Sequence, residues 1–347
     1  MKFLKWTGVF LLVMVGVYFL GPQPDLDGIN GELPTLSIPL EELDDSIKLW
    51  ESAYSNIKED NEARVVWANG ERKKTPYSIV YLHGFSASQG EGLPVHKQIA
   101  EYYNCNLFLS RLEGHGLESD STFYSLTPQN YLASAKKAVA VGKLIGEKVI
   151  VLGTSTGGMF GLYLAAENPD IAALILYSPL IDFADKNANL VAKPWGLNLA
   201  RAIIGGESTS FKPNNPKTLS YWTTSYRLEG VQSLSGLKNQ IMTSETFSKV
   251  KCPVFLGYYY KNDDEQDKVV DVSAMHPMFE QLSTDPTMKK SLAFPKAGRH
   301  VICSDIKSNA WEAVRDSTLY FLGTKLGLPP VDEVPEEVLK FHERLKK

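Results

Sequence analysis

The sequence predicts an α/β protein, a mostly parallel β-sheet with helices on both faces. Two observations carry this. Short β-branched apolar runs such as Tyr77–Leu82, Lys148–Leu152, Ile171–Tyr177 and Pro253–Tyr260 alternate with longer amphipathic segments, the pattern of parallel strands joined by crossover helices. The runs are apolar at nearly every position rather than at every second one, as strands buried on both faces require. With 347 residues, 44% hydrophobic and 22% charged, the chain can bury one such sheet and still carry an insertion.

The first 24 residues stand apart. Lys2 and Lys5 precede an apolar run from Gly8 to Leu20, which Gly21-Pro22-Gln23-Pro24 ends. This reads as an N-terminal signal anchor, or as an export signal whose cleavage site is hard to read, because no Ala-x-Ala-like step follows. A cytosolic protein with an apolar first helix is the plainer alternative. The lysines before the run would keep that end inside and put the body outside the cytoplasm. The expected location is therefore the cell envelope, membrane-anchored by the N-terminus, with an exported soluble protein as the alternative.

Residues 25–62 read as a linker, Asp25–Ile38, followed by an amphipathic helix over Pro39–Ile57. Its apolar stripe is Leu40, Leu43, Ile47, Trp50, Tyr54 and Ile57. Residues 63–347 form the main domain. Ala63–Ala68 and Tyr77–Leu82 are strands, with Asn69-Gly70 between them as a hairpin signal. Leu93–Tyr103 is a helix and Asn106–Leu109 a strand. Thr127 caps a helix that has Pro128 in its first position and runs to Ile145. Strand Lys148–Leu152, helix Met159–Asn168 and strand Ile171–Tyr177 follow. The alternation then stops. Asp182–Val250 carries scattered Pro, Gly and aromatic residues and reads as an irregular cap insertion (182–250) over the strand ends. Pro253–Tyr260 resumes the strands, followed by helix Val269–Leu282, strand Ser291–Phe294, helix Ser304–Leu326 and a last helix at Glu336–Leu345.

Composition excludes some functions. Net charge is −4 and lysine and arginine are not clustered, so nucleic acid is not an expected partner. Cys105, Cys252 and Cys303 are odd in number and lack metal-ligand spacing, which argues against a disulfide framework or a metal site. No cofactor is expected, and oligomeric state is left open.

The chemistry centres on Gly153-Thr154-Ser155-Thr156-Gly157-Gly158, directly after an apolar strand and directly before a helix. Strand, Gly-x-Ser-x-Gly, helix is the context of a nucleophile elbow. The tight turn holds the serine up at the strand end, with glycines two before and two after it where side chains would collide. A serine hydroxyl needs a base, and the base needs an orienting carboxylate; in elbow folds these follow the serine in the order acid, histidine. His300, in the loop Phe294–His300 after the last sheet strand, is the expected base. His83 and His115 precede Ser155, the wrong order. The acid comes from the loop after Pro253–Tyr260, which holds Asp263, Asp264, Glu265, Asp267 and Asp271. Asp267 is preferred because it stands just before the apolar pair Val269-Val270; Asp263 and Asp264 stay open. The oxyanion hole is expected from the backbone N–H groups of Thr156 and Phe85.

Four pieces in this order, His83-Gly84-Phe85, Arg111-Leu112-Glu113-Gly114-His115-Gly116, Gly153–Gly158 and Gly298-Arg299-His300, resemble the α/β-hydrolase superfamily. Within it they are most similar to the branch of monoacylglycerol lipases, lysophospholipases and small carboxylesterases. The resemblance covers about Arg64–Gly323. It implies an α/β-hydrolase fold with a cap, a structural role for His115, and a serine hydrolase. The chain departs from that branch at Tyr258-Tyr259-Tyr260-Lys261, at Arg299, and in the cap.

The expectation is a serine hydrolase that cleaves carboxylic esters, acylglycerol or lysophospholipid-like, through a Ser155–His300–Asp267 triad and an acyl-enzyme. Trp195, Leu197, Leu199, Phe211, Tyr221 and Trp222 either line an acyl pocket or form the cap's own core. Two other readings stand beside this one. A peptidase or amidase on the same triad would need acidic residues for a free amino terminus, and Glu207 and Glu229 are the glutamates well inside the cap. A non-catalytic envelope binding protein would retain the fold without the chemistry.

Overall fold

The computed structural model describes residues 2–213 and 215–330; the helix expected at Glu336–Leu345 lies outside them. Among the described residues there are nine strands: β1 Arg64–Val66, β2 Thr75–Leu82, β3 Asn106–Leu109, β4 Gly146–Thr154, β5 Ile171–Tyr177, β6 Ser208–Ser210, β7 Ser225–Arg227, β8 Val254–Tyr258 and β9 Lys289–Ala293. Seven form one sheet in the order β1-β3-β2-β4-β5-β8-β9. Every pair in it is parallel except β1 with β3. β6 and β7 pair separately and antiparallel.

The apolar runs are continuous because each strand feeds two cores. Val149 and Val151 of β4 point to one side, with Val80, Leu82, Leu174 and Leu176. Ile150 and Leu152 point to the other, with Ile79, Tyr81, Ala173 and Ile175, as the two-residue period of a strand dictates. On the first side lie α4 (Pro128–Ile145), α5 (Thr156–Glu167) and α10 (Val272–Gln281); on the second lie α3 (Val95–Tyr102) and α11 (Trp311–Leu326). Each fully buried aliphatic side chain contributes roughly 1.5–3 kcal/mol against exposure. α4 opens on a capping box in which Thr127 Oγ1 accepts from Asn130 N at 3.2 Å and Asn130 Oδ1 accepts from Thr127 N at 2.8 Å.

Several expected elements differ. Asn69-Gly70 makes a turn with positive φ at both residues, but no hairpin follows, because β1 pairs with β3 rather than β2. The amphipathic helix is shorter, α2 at Leu40–Glu51. Ser52 Oγ takes the Leu49 carbonyl, and the chain then turns so that Ile57 bridges Leu117. Glu51 meets Arg111 in a two-pronged ion pair of 2.6 and 3.0 Å, which ties α2 to the Arg111–Gly116 loop. The helix expected at Ser304–Leu326 begins at Trp311, because the Ser304 and Ser308 hydroxyls accept the amides of Ile306 and Ala310 and hold that segment in turns.

The stretch Asp182–Val250, expected to be irregular, is largely helical: α6 Gly196–Ile204, α7 Thr218–Tyr221, α8 Leu228–Ile241 and α9 Ser244–Lys249. Arg227 holds part of it together, pairing with both Glu207 and Glu229, while Arg201 reaches Glu229 at 2.7 Å.

The N-terminal segment is a helix, α1 Lys2–Phe19, with Trp6, Phe10, Leu12 and Phe19 exposed. Among the described residues no helix is long and apolar enough to cross a membrane, so the structure does not support the expected spanning anchor. The run Gly8–Leu20 would rise only about 20 Å against a hydrocarbon core of about 30 Å. At its far end α1 meets the cap: Trp195 Nε1 donates to Val17 O at 3.0 Å and Trp195 N to Pro22 O at 3.1 Å.

Candidate active site

The turn after β4 is built by sterics. Ser155 sits at φ 54° and ψ −114°, a region that costs a non-glycine residue roughly 1–3 kcal/mol. Its backbone is held on both sides, with its N–H on Tyr177 O at 2.9 Å and its carbonyl accepting from Met159 and Leu180 at 3.0 and 2.9 Å. The flanking glycines have no alternative. A Cβ on Gly157 would lie 1.8 Å from the Leu82 carbonyl oxygen, and one on Gly153 2.5 Å from the Gly157 backbone. Thr156 opens α5 directly after Ser155, so the positive end of the helix dipole lies beneath the serine.

His300 Nδ1 lies 2.6 Å from Asp267 Oδ2. The other Asp267 oxygen accepts the amides of Val269 at 2.8 Å and Val270 at 3.2 Å, so the apolar pair after the acid fixes it through its backbone. Asp267 is buried, whereas Asp263 and Asp264 are exposed at the loop tip and Tyr260 donates to Asp263. Asp271 caps α10 and pairs with Lys186. Burial alone would depress His300; the Asp267 charge and hydrogen bond, with a smaller share from Glu91, outweigh it and hold the imidazole above its usual value.

Ser155, Thr156, Phe85 and His300 line one cavity of about 540 Å³. Its apolar wall is Leu180, Phe183, Val231, Leu234, Val269 and Val270, with Phe211, Trp222 and Tyr226 from the cap.

A family model, that of the serine aminopeptidases S33, matches residues 74–228. A thermostable monoacylglycerol lipase of Bacillus sp. (strain H-257) is 24% identical over 60% of this chain and 78% of its own length. A pimeloyl-[acyl-carrier protein] methyl ester esterase of Xanthomonas campestris pv. campestris is 29% identical over 37% of this chain, which spans about half (49%) of that relative. Among solved structures, a metagenome-derived lipolytic enzyme superposes with a TM-score of 0.59 at 15% identity, covering 77% of this chain and 99% of that one. That last likeness is one of fold. The chain has the α/β-hydrolase fold.

In this α/β-hydrolase fold the two early histidines are built into the structure. His83 is fully buried; its Nε2 accepts from Leu112 N at 3.0 Å and its Nδ1 donates to Gly84 O at 2.9 Å. Burial pushes it down to about 4. His115, also fully buried, stacks on Tyr131 and has Nδ1 on Glu113 O at 2.7 Å. Both rings support the loops around Phe85. Of the six cap residues expected at an acyl pocket or cap core, Phe211 and Trp222 line the cavity. Trp195 and Leu199 are instead exposed, and Tyr221 packs on Gly90 and donates to Asp60 at 2.7 Å.

The sequence gives no hint of Glu91. It is 2% exposed, lines the same cavity as Ser155, and accepts at Oε2 from Gly84 N at 2.6 Å and Tyr81 Oη at 3.2 Å. Burial pushes it up to about 7, against the pull of the Gly84 hydrogen bond and the His300 charge. Its only signal is position, a carboxyl on the loop that begins at His83, and acids are common on loops.

Proposed function

We propose that this α/β-hydrolase is a serine carboxylic ester hydrolase acting on acylglycerol or lysophospholipid-like esters through an acyl-enzyme. The observation that carries the reading is the 2.6 Å Asp267–His300 pair, with His300 lining the same cavity as Ser155 on its strained turn. His300 donates through Nδ1 to Asp267, which leaves Nε2 to take the Ser155 proton as the hydroxyl attacks the ester carbonyl. The oxyanion is held by the backbone N–H groups of Phe85 and Thr156. His300 then protonates the leaving alcohol, the acyl group stays on Ser155, and a water activated by the same imidazole releases the acid. The apolar wall suits an acyl chain, and the lipase and esterase relatives support an ester over an amide.

The test is hydrolysis of p-nitrophenyl esters of rising chain length, with Ser155→Ala alongside and a fluorophosphonate probe of Ser155. Turnover that vanishes in Ser155→Ala supports the reading. A folded protein that neither turns over esters nor takes the probe overturns it.

The matched family model favours a second reading, an aminopeptidase. The two cap glutamates argue against it, since Arg227 engages both and neither lines the cavity. Release of an amino-terminal residue from peptide amides, with esters inert, would favour it.

We also propose that α1 brings the enzyme to the cell envelope; its exposed Trp6, Phe10, Leu12 and Phe19 support this. Fractionation of cells expressing the full chain and the chain without residues 1–24 tests it. Full-length protein found wholly in the soluble cytosol overturns the proposal.

A further inference from the structure

A second cavity of about 350 Å³ adjoins the catalytic one, and the two share Phe211, Arg299 and Lys307 as walls. It is polar. Lys212, Arg299 and Lys307 line it against one carboxylate, Asp305. Lys307 is held in place: it is half-buried, Nζ donates to Thr218 Oγ1 at 2.8 Å, and it stands 4.7 Å over the Trp222 ring. Burial, and then the neighbouring Arg299 charge, pull its pKa below the usual value, and the Glu91 charge opposes them. Three cationic side chains against one carboxylate give the recess a positive lining, which favours an anion.

The recess lies on a definite side of the reaction. His300 delivers its proton to the leaving oxygen, so the alcohol part of the ester lies on the His300 side. Arg299 precedes His300 in the chain and lines both cavities. The apolar wall of Leu180, Phe183, Leu234 and Val269 remains for the acyl chain.

We propose that this recess binds an anionic group, a phosphate, carried on the alcohol part of the ester. The substrate class is then a lysophospholipid-type ester with phosphate on its glycerol, rather than an uncharged monoacylglycerol. This rests on the ester hydrolase reading above.

The test compares kcat/KM of the full chain on 1-hexanoylglycerol and 1-hexanoylglycerol 3-phosphate, both below micelle-forming concentration. The phosphate ester is expected to be preferred by about 10- to 100-fold, less at high salt. Lys212→Gln and Lys307→Gln should each remove much of that preference, and Lys307→Arg, which restores the charge, should keep it. A preference near one, or one that neither glutamine variant moves, overturns the proposal. So does an equal preference for a glycerol ester whose anion is a carboxylate at the far end of the acyl chain, because that puts the anion on the wrong side. If neither glycerol ester is hydrolysed, the ester reading fails separately, and calorimetric titration with glycerol 3-phosphate still decides the recess. Binding lost in Lys307→Gln supports it, and no binding to the full chain overturns it.

Discussion

The backbone N–H of Gly84 donates to Glu91 Oε2 at 2.6 Å, so the turn that presents Phe85 hangs from a buried carboxyl. The same carboxylate helps to hold the His300 pKa up. Glu91→Gln can still accept from Gly84 but loses the charge. The acid limb of kcat/KM, which reports His300 becoming protonated, should therefore move to lower pH, with thermal stability close to wild type. A limb that stays in place would leave Glu91 as a hydrogen-bond acceptor and no more.

Ser155 separates activity from stability. Ser155→Ala keeps the Cβ and the strained φ of 54°, and activity should fall by at least about 10⁴-fold. Ser155→Gly should be equally inactive yet more stable by about 1 kcal/mol, because glycine adopts this backbone without strain. For a chain of this length that is a rise of about 1–2 °C in Tm by calorimetry.

Asp267→Asn should lower kcat about 10⁴-fold by favouring the wrong imidazole tautomer. Asp263→Asn and Asp264→Asn, at exposed positions on the same loop, should stay within a few-fold. Steady-state kinetics on one p-nitrophenyl ester distinguish the three.

Gly157→Ala places a methyl group where the Leu82 carbonyl stands. Backbone cannot yield as a side-chain tip can, so the cost should reach at least about 3 kcal/mol. Urea unfolding, or failure to recover soluble protein, reads this out.

Acid should destabilise the fold before it protonates many carboxylates. Burial depresses His83 to about 4 and His96 to about 3, and pushes His115 down as well. These groups take protons in the unfolded chain near the ordinary 6.5 but not in the folded one. Stability is therefore fully present above about pH 6.5 and is lost as pH falls through the window down to the folded values. Tm measured from pH 8 to 4 should drop below pH 6.5, and a His83→Gln variant should show a shallower drop.

Much of the site can be read in the sequence because its causes are local. Gly153 and Gly157 are demanded by atoms of the same turn and its neighbouring strand, and Asp267 is fixed by amides two and three residues on. The helix at Pro128–Ile145 carries its own cap. What could not be read depends on distant partners. β1 chooses β3 over the nearer β2, and Ser304–Ala310 gives up its helix to serine hydroxyls. Glu91 looks like any loop acid until the fold brings it under Gly84. Cap aromatics divide between cavity wall and surface according to how α6–α8 pack, and Tyr226, Val231 and Leu234 carry no mark that sets them apart from Trp195 or Leu199.

The segment Asp25–Ile38, without regular structure, is stitched down. Gln129 Nε2 holds the carbonyls of Asp25 and Asp27, Lys136 reaches Asn30, and Asn168 Nδ2 takes the Gly31 carbonyl. Ile29, Leu33, Leu36 and Ile38 pack against the main core. A loose tether of this length would let the catalytic body swing through a wide arc. This one is a strut without slack, so whatever receives the first helix also fixes which way the catalytic mouth faces. The enzyme would then work at a set height and angle, and its substrates would have to come to it.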